Sequence, residues 1–267
     1  YYFLWDHYKH KNKIKNCKFI NFGSLKSYVV LERQKKWNYL RKKFKKNKNL
    51  VLISLYGGHN SDFENRFLKN LSKNQMIDKI NSVYKDFMSK KIILNFRENL
   101  TLEFFLNCLA LSKIVKNNNF KLTIINRYTN LMNNEGEKSY NSKKEKIFFN
   151  NFFEKYKILG SDHHRRLAKA LKLKNSIFIT NVSSMGKELL ALNYKVIFYS
   201  FLNYKYNPDY FDKNSIFCLL KRDDQLLLNK IKKISNLSEI KFKKEKYKSK
   251  KTFSSFNPDK KKFKYFL

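Results

Sequence analysis

The sequence predicts an α/β protein: a five-stranded, mostly parallel, doubly wound sheet with flanking helices, plus basic N- and C-terminal extensions. Two observations support this prediction. Three short apolar runs rich in Ile, Phe and Val occupy 175–181, 195–201 and 215–220, and such runs are typical of strands buried on both faces. Segments with helical periodicity follow the first run and the last, which is the order of βαβ units with right-handed crossovers.

The first of these helices has both a start signal and an apolar face. Met185, Leu189 and Leu192 recur at helical spacing, directly after Ser183 and Ser184. Serine is a preferred N-cap because its hydroxyl accepts a hydrogen bond from an otherwise unpaired backbone N–H. A helix between the first two strands is therefore expected.

The second helix follows an acidic pair, Asp223 and Asp224. Its apolar face is formed by Leu226, Leu227, Ile231 and Ile234. Two adjacent carboxylates can form a catalytic or metal-binding pair, but carboxylates are also favoured at a helix N-terminus. We favour the capping interpretation here, and we interpret Asp209 and Asp212 as turn residues.

The other two strands are predicted upstream, at 91–96 and 120–126, separated by a helix over 99–115. This gives five strands alternating with helices. Further helical patterns are predicted at 30–46, 62–90 and 147–159, and residues 50–56 form an additional apolar run.

The chain is predicted to have three parts. Residues 1–48 form a basic extension ending in a helix, residues 49–240 form the α/β domain, and residues 241–267 form a basic, aromatic tail. Residues 127–158 are interpreted as a reduced insertion within the domain.

The charge is the dominant feature of the composition. The 267 residues carry 58 Lys and Arg against 21 Asp and Glu, a net charge of +37. The excess is densest at the ends: residues 1–48 hold 15 basic residues against two acids, and residues 241–267 hold 11 against two. Such a chain is expected to bind a polyanion such as RNA, DNA or an anionic membrane surface. The aromatic residues among the lysines of the tail favour RNA with unpaired bases.

Three basic clusters are the predicted RNA contacts: one late in the N-terminal extension, one before the strand at 175–181, and one in the tail. Their members are Arg41, Lys42, Lys43, Lys45, Lys46, His163, His164, Arg165, Arg166, Lys169, Lys172, Lys243, Lys244, Lys246, Lys248, Lys250 and Lys251. A metal site at His163 and His164 is disfavoured, because adjacent histidines diverge on a helix and no third ligand has matching spacing.

Other classes of protein are disfavoured. Cys17, Cys108 and Cys218 are far apart and odd in number, which indicates free thiols in a reducing compartment. No apolar run reaches the roughly 18 to 20 residues of a membrane span, and no signal peptide is visible. Neither a glycine-rich phosphate loop nor a nucleophile–histidine–acid spacing is evident, so we expect no enzyme activity and no cofactor.

The residues 174–234 resemble the small ribosomal subunit protein two family, of bacterial type, in a divergent mitochondrial form. The matching features are Leu173-Lys174-Asn175 before the first strand, Glu188 and Ala191 in the helix, Leu192–Ile197 entering the next strand, Asn203 and Asn207-Pro208-Asp209 in the loop, and Asp223-Asp224 before the last helix. Upstream, Lys91–Phe96 and Leu55–His59 resemble the family more faintly. Lys195 stands in place of a family proline and Phe201 in place of an aspartate.

The resemblance implies a structural constituent of the mitochondrial small ribosomal subunit that binds small-subunit rRNA and neighbouring ribosomal proteins and supports translation. Its protruding helical hairpin would be reduced to a remnant in 135–158. One rival remains. Residues 183–198 also resemble the nucleotide-sugar half of two-domain glycosyltransferases, with Ser183, Ser184 and Glu188 as donor contacts.

Overall fold

The computed structural model describes residues 2–4, 19–21, 49–56, 60–126, 142–159, 166–173, 175–202 and 215–248. Near the N-terminus, β1 (Tyr2–Leu4) and β2 (Phe19–Asn21) pair in parallel as a separate two-stranded sheet. The helix predicted at 30–46 lies outside the described residues, as do residues 127–141, 203–214 and 249–267.

The main sheet has six strands, one more than the sequence predicts, and every pairing in it is parallel. Its strands are β3 (Asn49–Ile53), β4 (Lys121–Ile125), β5 (Lys157–Leu159), β6 (Ser176–Thr180), β7 (Lys195–Tyr199) and β8 (Cys218–Leu219). They lie in the order β5-β4-β3-β6-β7-β8. The strand order therefore reverses direction at β3, where the chain steps from one side of the sheet to the other.

The prediction of a strand at 91–96 is wrong. Asn95 is instead the N-cap of a long helix: its side chain accepts a hydrogen bond from Glu98 N, and the Glu98 carboxylate accepts one from Asn95 N, each at 2.9 Å. This reciprocal capping box fixes the start of the helix at Phe96. Ile93 is 87% exposed, so the apolar run before the cap is not part of the sheet.

Two strands missing from the prediction complete the sheet. The apolar run at 50–56 supplies β3, the strand at the centre, which pairs with both β4 and β6. The helix predicted over 147–159 ends at Phe152, and the three residues of β5 follow at 157–159. A three-residue edge strand has too short a pattern to be separated from the helix before it.

Eight helical segments, among the residues described, surround the sheet. They are α1 (Asn60–Phe63), which continues into a π-helical turn at Glu64–Leu68, α2 (Lys73–Met88), α3 (Phe96–Asn118), α4 (Ser142–Phe152), α5 (Arg166–Ala170), α6 (Ser184–Ala191), α7 (Asp224–Ser235) and α8 (Glu239–Lys248). The helix predicted at 62–90 is thus two segments. The break includes Asn70, in the left-handed region at φ 62°, and Ser72, the N-cap of α2.

Helix α3 is the centre of the helical packing. It contacts α1, α2, α4 and α7, and nearly every residue from Glu98 to Leu111 is buried. A helix enclosed on all sides must bury its polar residues as well, and Glu98, Asn99, Glu103 and Asn107 are each at most 4% exposed. These buried polar groups must find partners inside the protein.

On one side of β3 lie two adjacent strands, β6 and β7. Every residue of β6 and β7 is buried, which requires cover on both faces of the sheet. Helices α6 and α7 both contact these two strands. Over the described ranges, no helix combines the length and apolar character needed to cross a membrane.

Candidate functional site

Polar side chains follow the central strands where they end. Ser54 follows β3, Asn181 follows β6 and Ser200 follows β7, and all three are 0% exposed. The carboxyl ends of parallel strands share one edge of the sheet, and open α/β sheets bind their ligands there, next to the point where the strand order reverses. We call this the carboxyl edge.

At β6 and β7 the carboxyl edge is closed by a buried network around Glu103 of α3. One carboxylate oxygen accepts hydrogen bonds from Asn181 Nδ2 at 3.2 Å and Ser200 Oγ at 3.1 Å. The other accepts one from Leu202 N at 2.6 Å. Asn107, one turn along α3, donates through Nδ2 to Asn181 Oδ1 at 2.7 Å and to Tyr199 O at 2.8 Å. The network ties α3 to the ends of both strands.

At β3 and β4 the same edge is held by Arg166. Its Nη2 donates to Ser54 O at 3.1 Å and to Ile125 O at 3.3 Å. The Ser54 hydroxyl in turn donates to Glu145 Oε1, and Glu145 is 1% exposed. Arg166 is one of the predicted RNA contacts, and part of its donor capacity is used to join α5 to two strands of the sheet.

The serine turn after β6 is a helix cap. Ser183 Oγ accepts a hydrogen bond from Gly186 N at 3.4 Å, which confirms the predicted cap of α6, and Ser184 is exposed. Glu188 is 1% exposed. Gly186 has a packing role that the sequence did not reveal: a Cβ there would lie 2.8 Å from Thr180 Cγ2 and 3.1 Å from a Phe198 ring carbon.

The acidic pair before α7 also caps a helix, as predicted. Asp223 Oδ1 accepts a hydrogen bond from Leu226 N at 2.8 Å, and Asp224 forms an ion pair with Lys113 at 3.3 Å. A search of the described ranges finds no group of three or more His, Cys, Asp or Glu that could hold a metal ion.

The basic residues predicted to contact RNA lie in different parts of the fold. Lys169 lies in α5 and is half-buried, and the exposed Lys172 follows it. Ten predicted contacts lie outside the described residues: Arg41, Lys42, Lys43, Lys45, Lys46, His163, His164, Arg165, Lys250 and Lys251. The second cluster is therefore described only at Arg166, Lys169 and Lys172, and the third only at the lysines of α8.

The lysines of α8 lie on a helix that is docked onto the domain. Phe242 is 0% exposed and packs against Phe217 with ring centroids 5.3 Å apart. Lys246 donates to Asn193 Oδ1 at 2.8 Å, in the turn that precedes β7. Since Arg166 lies at the carboxyl ends of β3 and β4, the structure places Arg166 and Lys246 at opposite edges of the sheet.

The remaining lysines of α8 differ in their partners. Lys243 pairs with Glu239 at 2.7 Å and Lys248 pairs with Glu245 at 2.9 Å. Lys244 is exposed and makes no ion pair with any residue that the structure describes. Exposed pairs of this kind contribute little to stability, so these cations can exchange their carboxylate partners for phosphates.

A groove of about 450 Å³ opens at the amino edge of the sheet, between the C-terminal end of α3, the start of β4 and the turn from α4 into β5. It is lined by Ser112, Val115, Lys116, Asn119, Phe120, Lys121, Leu122, Phe153, Glu154, Lys155 and Tyr156. None of these residues was singled out by the sequence, because the two segments are brought together only by the pairing of β4 with β5. We call this the amino-edge groove.

Comparison with known proteins finds no matching family model, no matching curated protein and no matching solved structure.

Proposed function

We propose that this protein is a structural constituent of the mitochondrial small ribosomal subunit, where it binds small-subunit rRNA and neighbouring ribosomal proteins and supports translation. The proposal places it in the mitochondrial matrix as part of the ribosome. It rests on the resemblance of residues 174–234 to the small ribosomal subunit protein two family and on the net charge of +37.

The observation that carries the proposal is the separation of charge between interior and surface. Glu98, Glu103, Glu145 and Glu188 are at most 4% exposed, so these four carboxylates do not lie at the surface that a polyanion would meet. Lysines of α2, α7 and α8 lie on the outside. A basic surface with internal acids suits a protein whose neighbours are phosphates, because each lysine that neutralises a phosphate releases a counterion.

The closed carboxyl edge also favours a structural role. Asn181, Ser200 and Glu103 are 0% exposed and hydrogen-bonded to one another. An enzyme with this sheet would be expected to present polar groups at that edge to a substrate. Here the polar groups at β6 and β7 serve the packing of α3.

We further propose that the sheet is doubly wound. The reversal of strand order at β3 and the burial of β6 and β7 along their whole length support helices on both faces. In a doubly wound sheet, α6 and α7 cover opposite faces of these two strands.

The same strand order favours one second candidate, a glycosyltransferase with a nucleotide-sugar site at the N-terminus of α6. Ser183 and Ser184 follow β6, which neighbours the central strand where the order reverses. Against it, Glu188 is 1% exposed and Ser183 caps its own helix. Titration calorimetry with uridine diphosphate sugars tests this candidate, and binding abolished by S184A would favour it over the ribosomal proposal.

The ribosomal proposal is tested by sedimentation of the native protein on a sucrose gradient, with and without ribonuclease. We expect it to migrate with the small ribosomal subunit and to lose that position when the RNA is digested. Migration as a light species that ribonuclease does not change would overturn the proposal.

A further inference from the structure

We propose that the amino-edge groove binds a single unpaired nucleotide of RNA. Its base lies against Phe120 and Tyr156, and its flanking phosphates lie on Lys116, Lys121 and Lys155. This inference rests on the proposed RNA-binding function and gives it a defined site. None of the five residues belongs to the basic clusters that the sequence predicts as RNA contacts.

The floor and walls of the groove suit a flat aromatic ring. Leu122 and Phe153 are each 4% exposed and form an apolar floor, while Phe120 and Tyr156 are half-buried at the sides. A base is apolar on its faces and polar at its edges, and aromatic side chains stack on any base without regard to sequence. A volume of about 450 Å³ lies within the range of small-ligand sites, roughly 300 to 1,000 Å³.

The position of the Tyr156 ring is fixed by two kinds of contact. Its hydroxyl donates to Asn150 Oδ1 at 2.6 Å, and its ring packs 6.1 Å from Phe153 and 6.3 Å from Phe149 between centroids. A ring that is held in place before binding loses little conformational entropy when a base stacks on it.

The edge of a base also finds hydrogen-bond acceptors here. Helix α3 ends at the groove, where Val115, Lys116 and Asn119 line it. The last turn of a helix leaves backbone carbonyls without intrahelical partners. Such carbonyls favour hydrogen-bond donors over phosphates, and the exocyclic amines of a base are donors. The base is therefore assigned to the helix end and the phosphates to the lysine rim.

The rim is basic. Lys116, Lys121 and Lys155 are exposed, and one acid, Glu154, lies among them. Glu154 pairs with Lys116 at 3.2 Å, and the two side chains are 70% and 71% exposed. An exposed pair of this kind is weak, so a phosphate can replace the Glu154 carboxylate as the partner of Lys116 at little cost.

The first experiment tests the base. The full-length protein and its F120L variant are titrated with a single-stranded oligouridylate and with an RNA duplex of the same length. Leucine keeps the apolar packing and removes the stacking ring. We expect F120L to weaken single-strand binding roughly tenfold and to leave duplex binding unchanged. The matched control is F96L, because Phe96 is 53% exposed and is not part of the groove.

The second experiment removes one positive charge and, separately, one negative charge from the rim of the groove. K116Q is expected to weaken binding of the oligouridylate and to reduce the slope of log K against log salt by about 0.7, the value for one phosphate of a single strand. E154Q is expected to strengthen binding, because it frees Lys116 and removes a negative charge. The controls are K79Q and D78N, which make the same charge changes on the exposed face of α2.

The outcomes separate this inference from the function on which it rests. If F120L, K116Q and E154Q all match their controls within twofold while the wild-type protein binds RNA, the groove is not the site and the proposed function stands. If F120L weakens duplex binding as much as single-strand binding, base stacking is refuted. If the wild-type protein binds neither RNA at low salt, the RNA-binding function fails together with the groove.

Discussion

The buried carboxylate of Glu103 accepts a hydrogen bond from the main-chain nitrogen of Leu202 at 2.6 Å. This contact joins the middle of α3 to the chain just past β7, and Asn181 and Ser200 donate to the same carboxylate. Three donors, one just past β6 and two just past β7, thus depend on one acidic side chain.

Replacing this carboxylate should destabilise the fold. E103Q puts an amide NH2 group where one of the acceptor oxygens was, so at least one buried donor loses its partner. A lost partner of this kind costs about 1–3 kcal/mol in the free energy of unfolding. Urea denaturation followed by circular dichroism measures it. The control is E154Q, whose side chain is 70% exposed and whose ion pair contributes less than about 1 kcal/mol. Equal midpoints for the two variants would contradict a structural role for Glu103.

The buried lysine Lys195 should make stability depend on pH. Its Nζ donates to Ser235 O at 2.8 Å, the residue is 5% exposed, and burial lowers the pKa of Lys195 to about 8 from an ordinary 10.5. Between these two pH values the unfolded chain holds a proton that the folded chain lacks. The free energy of unfolding therefore rises with pH in this window, and the contribution is lost as the pH falls through about 8.

This dependence is read from urea midpoints at pH 7 and pH 9 for the wild-type protein and for K195M. The wild-type protein should gain stability relative to K195M between the two pH values, because methionine cannot titrate. K79M, at an exposed position of α2, should keep the wild-type response. A difference between wild type and K195M that stays the same at both pH values would refute the assignment.

Gly186 should resist substitution although it lies in a helix. Alanine is normally the better helix residue by about 1 kcal/mol, but its Cβ would lie 2.8 Å from Thr180 Cγ2. Overpacking of this kind costs about 1–3 kcal/mol, so G186A should lower the thermal midpoint. The double variant T180S/G186A removes the nearest methyl group and should recover part of the loss. If the double variant is no more stable than G186A, the alanine Cβ clashes with the Phe198 ring rather than with Thr180.

Arg166 and Lys172 should separate folding from RNA binding. R166M removes the hydrogen bonds to Ser54 O and Ile125 O and should lower the urea midpoint. K172Q removes an exposed charge after α5 and should leave the midpoint unchanged. It should instead weaken RNA binding for all sequences and reduce the salt slope by about one. Filter binding over a salt series measures the slope. An unchanged slope for K172Q would remove this residue from the predicted contacts.

The parts of the fold that the sequence predicts are those set by local chemistry. The strands at 176–180, 195–199 and 218–219 lie within the predicted runs, and Ser183 and Asp223 cap their helices as expected. The wrong strand at 91–96 also had a local signal against it, since Asn95 and Glu98 have the spacing of a capping box.

The candidate sites were harder to predict because they depend on distant pairings. Glu103 and Asn107 look like ordinary polar positions of a helix, and only the enclosure of α3 by four other helices makes them interior residues. Phe120 and Tyr156 come together through the pairing of β4 with the three-residue β5. No local pattern contains that information.

The position of β3 in the sheet has a consequence for how the chain folds during synthesis. Asn49 of β3 donates a side-chain hydrogen bond to Ser176 of β6, 127 residues further along. The β3-β4-β5 half can assemble as soon as it has been synthesised, but one side of β3 stays unpaired until β6 emerges. Closing such a long loop is slow, and an unpaired edge in the nascent chain is a site for aggregation. The second half of the sheet therefore protects the first, and a chain truncated before residue 176 would expose its own most apolar strand.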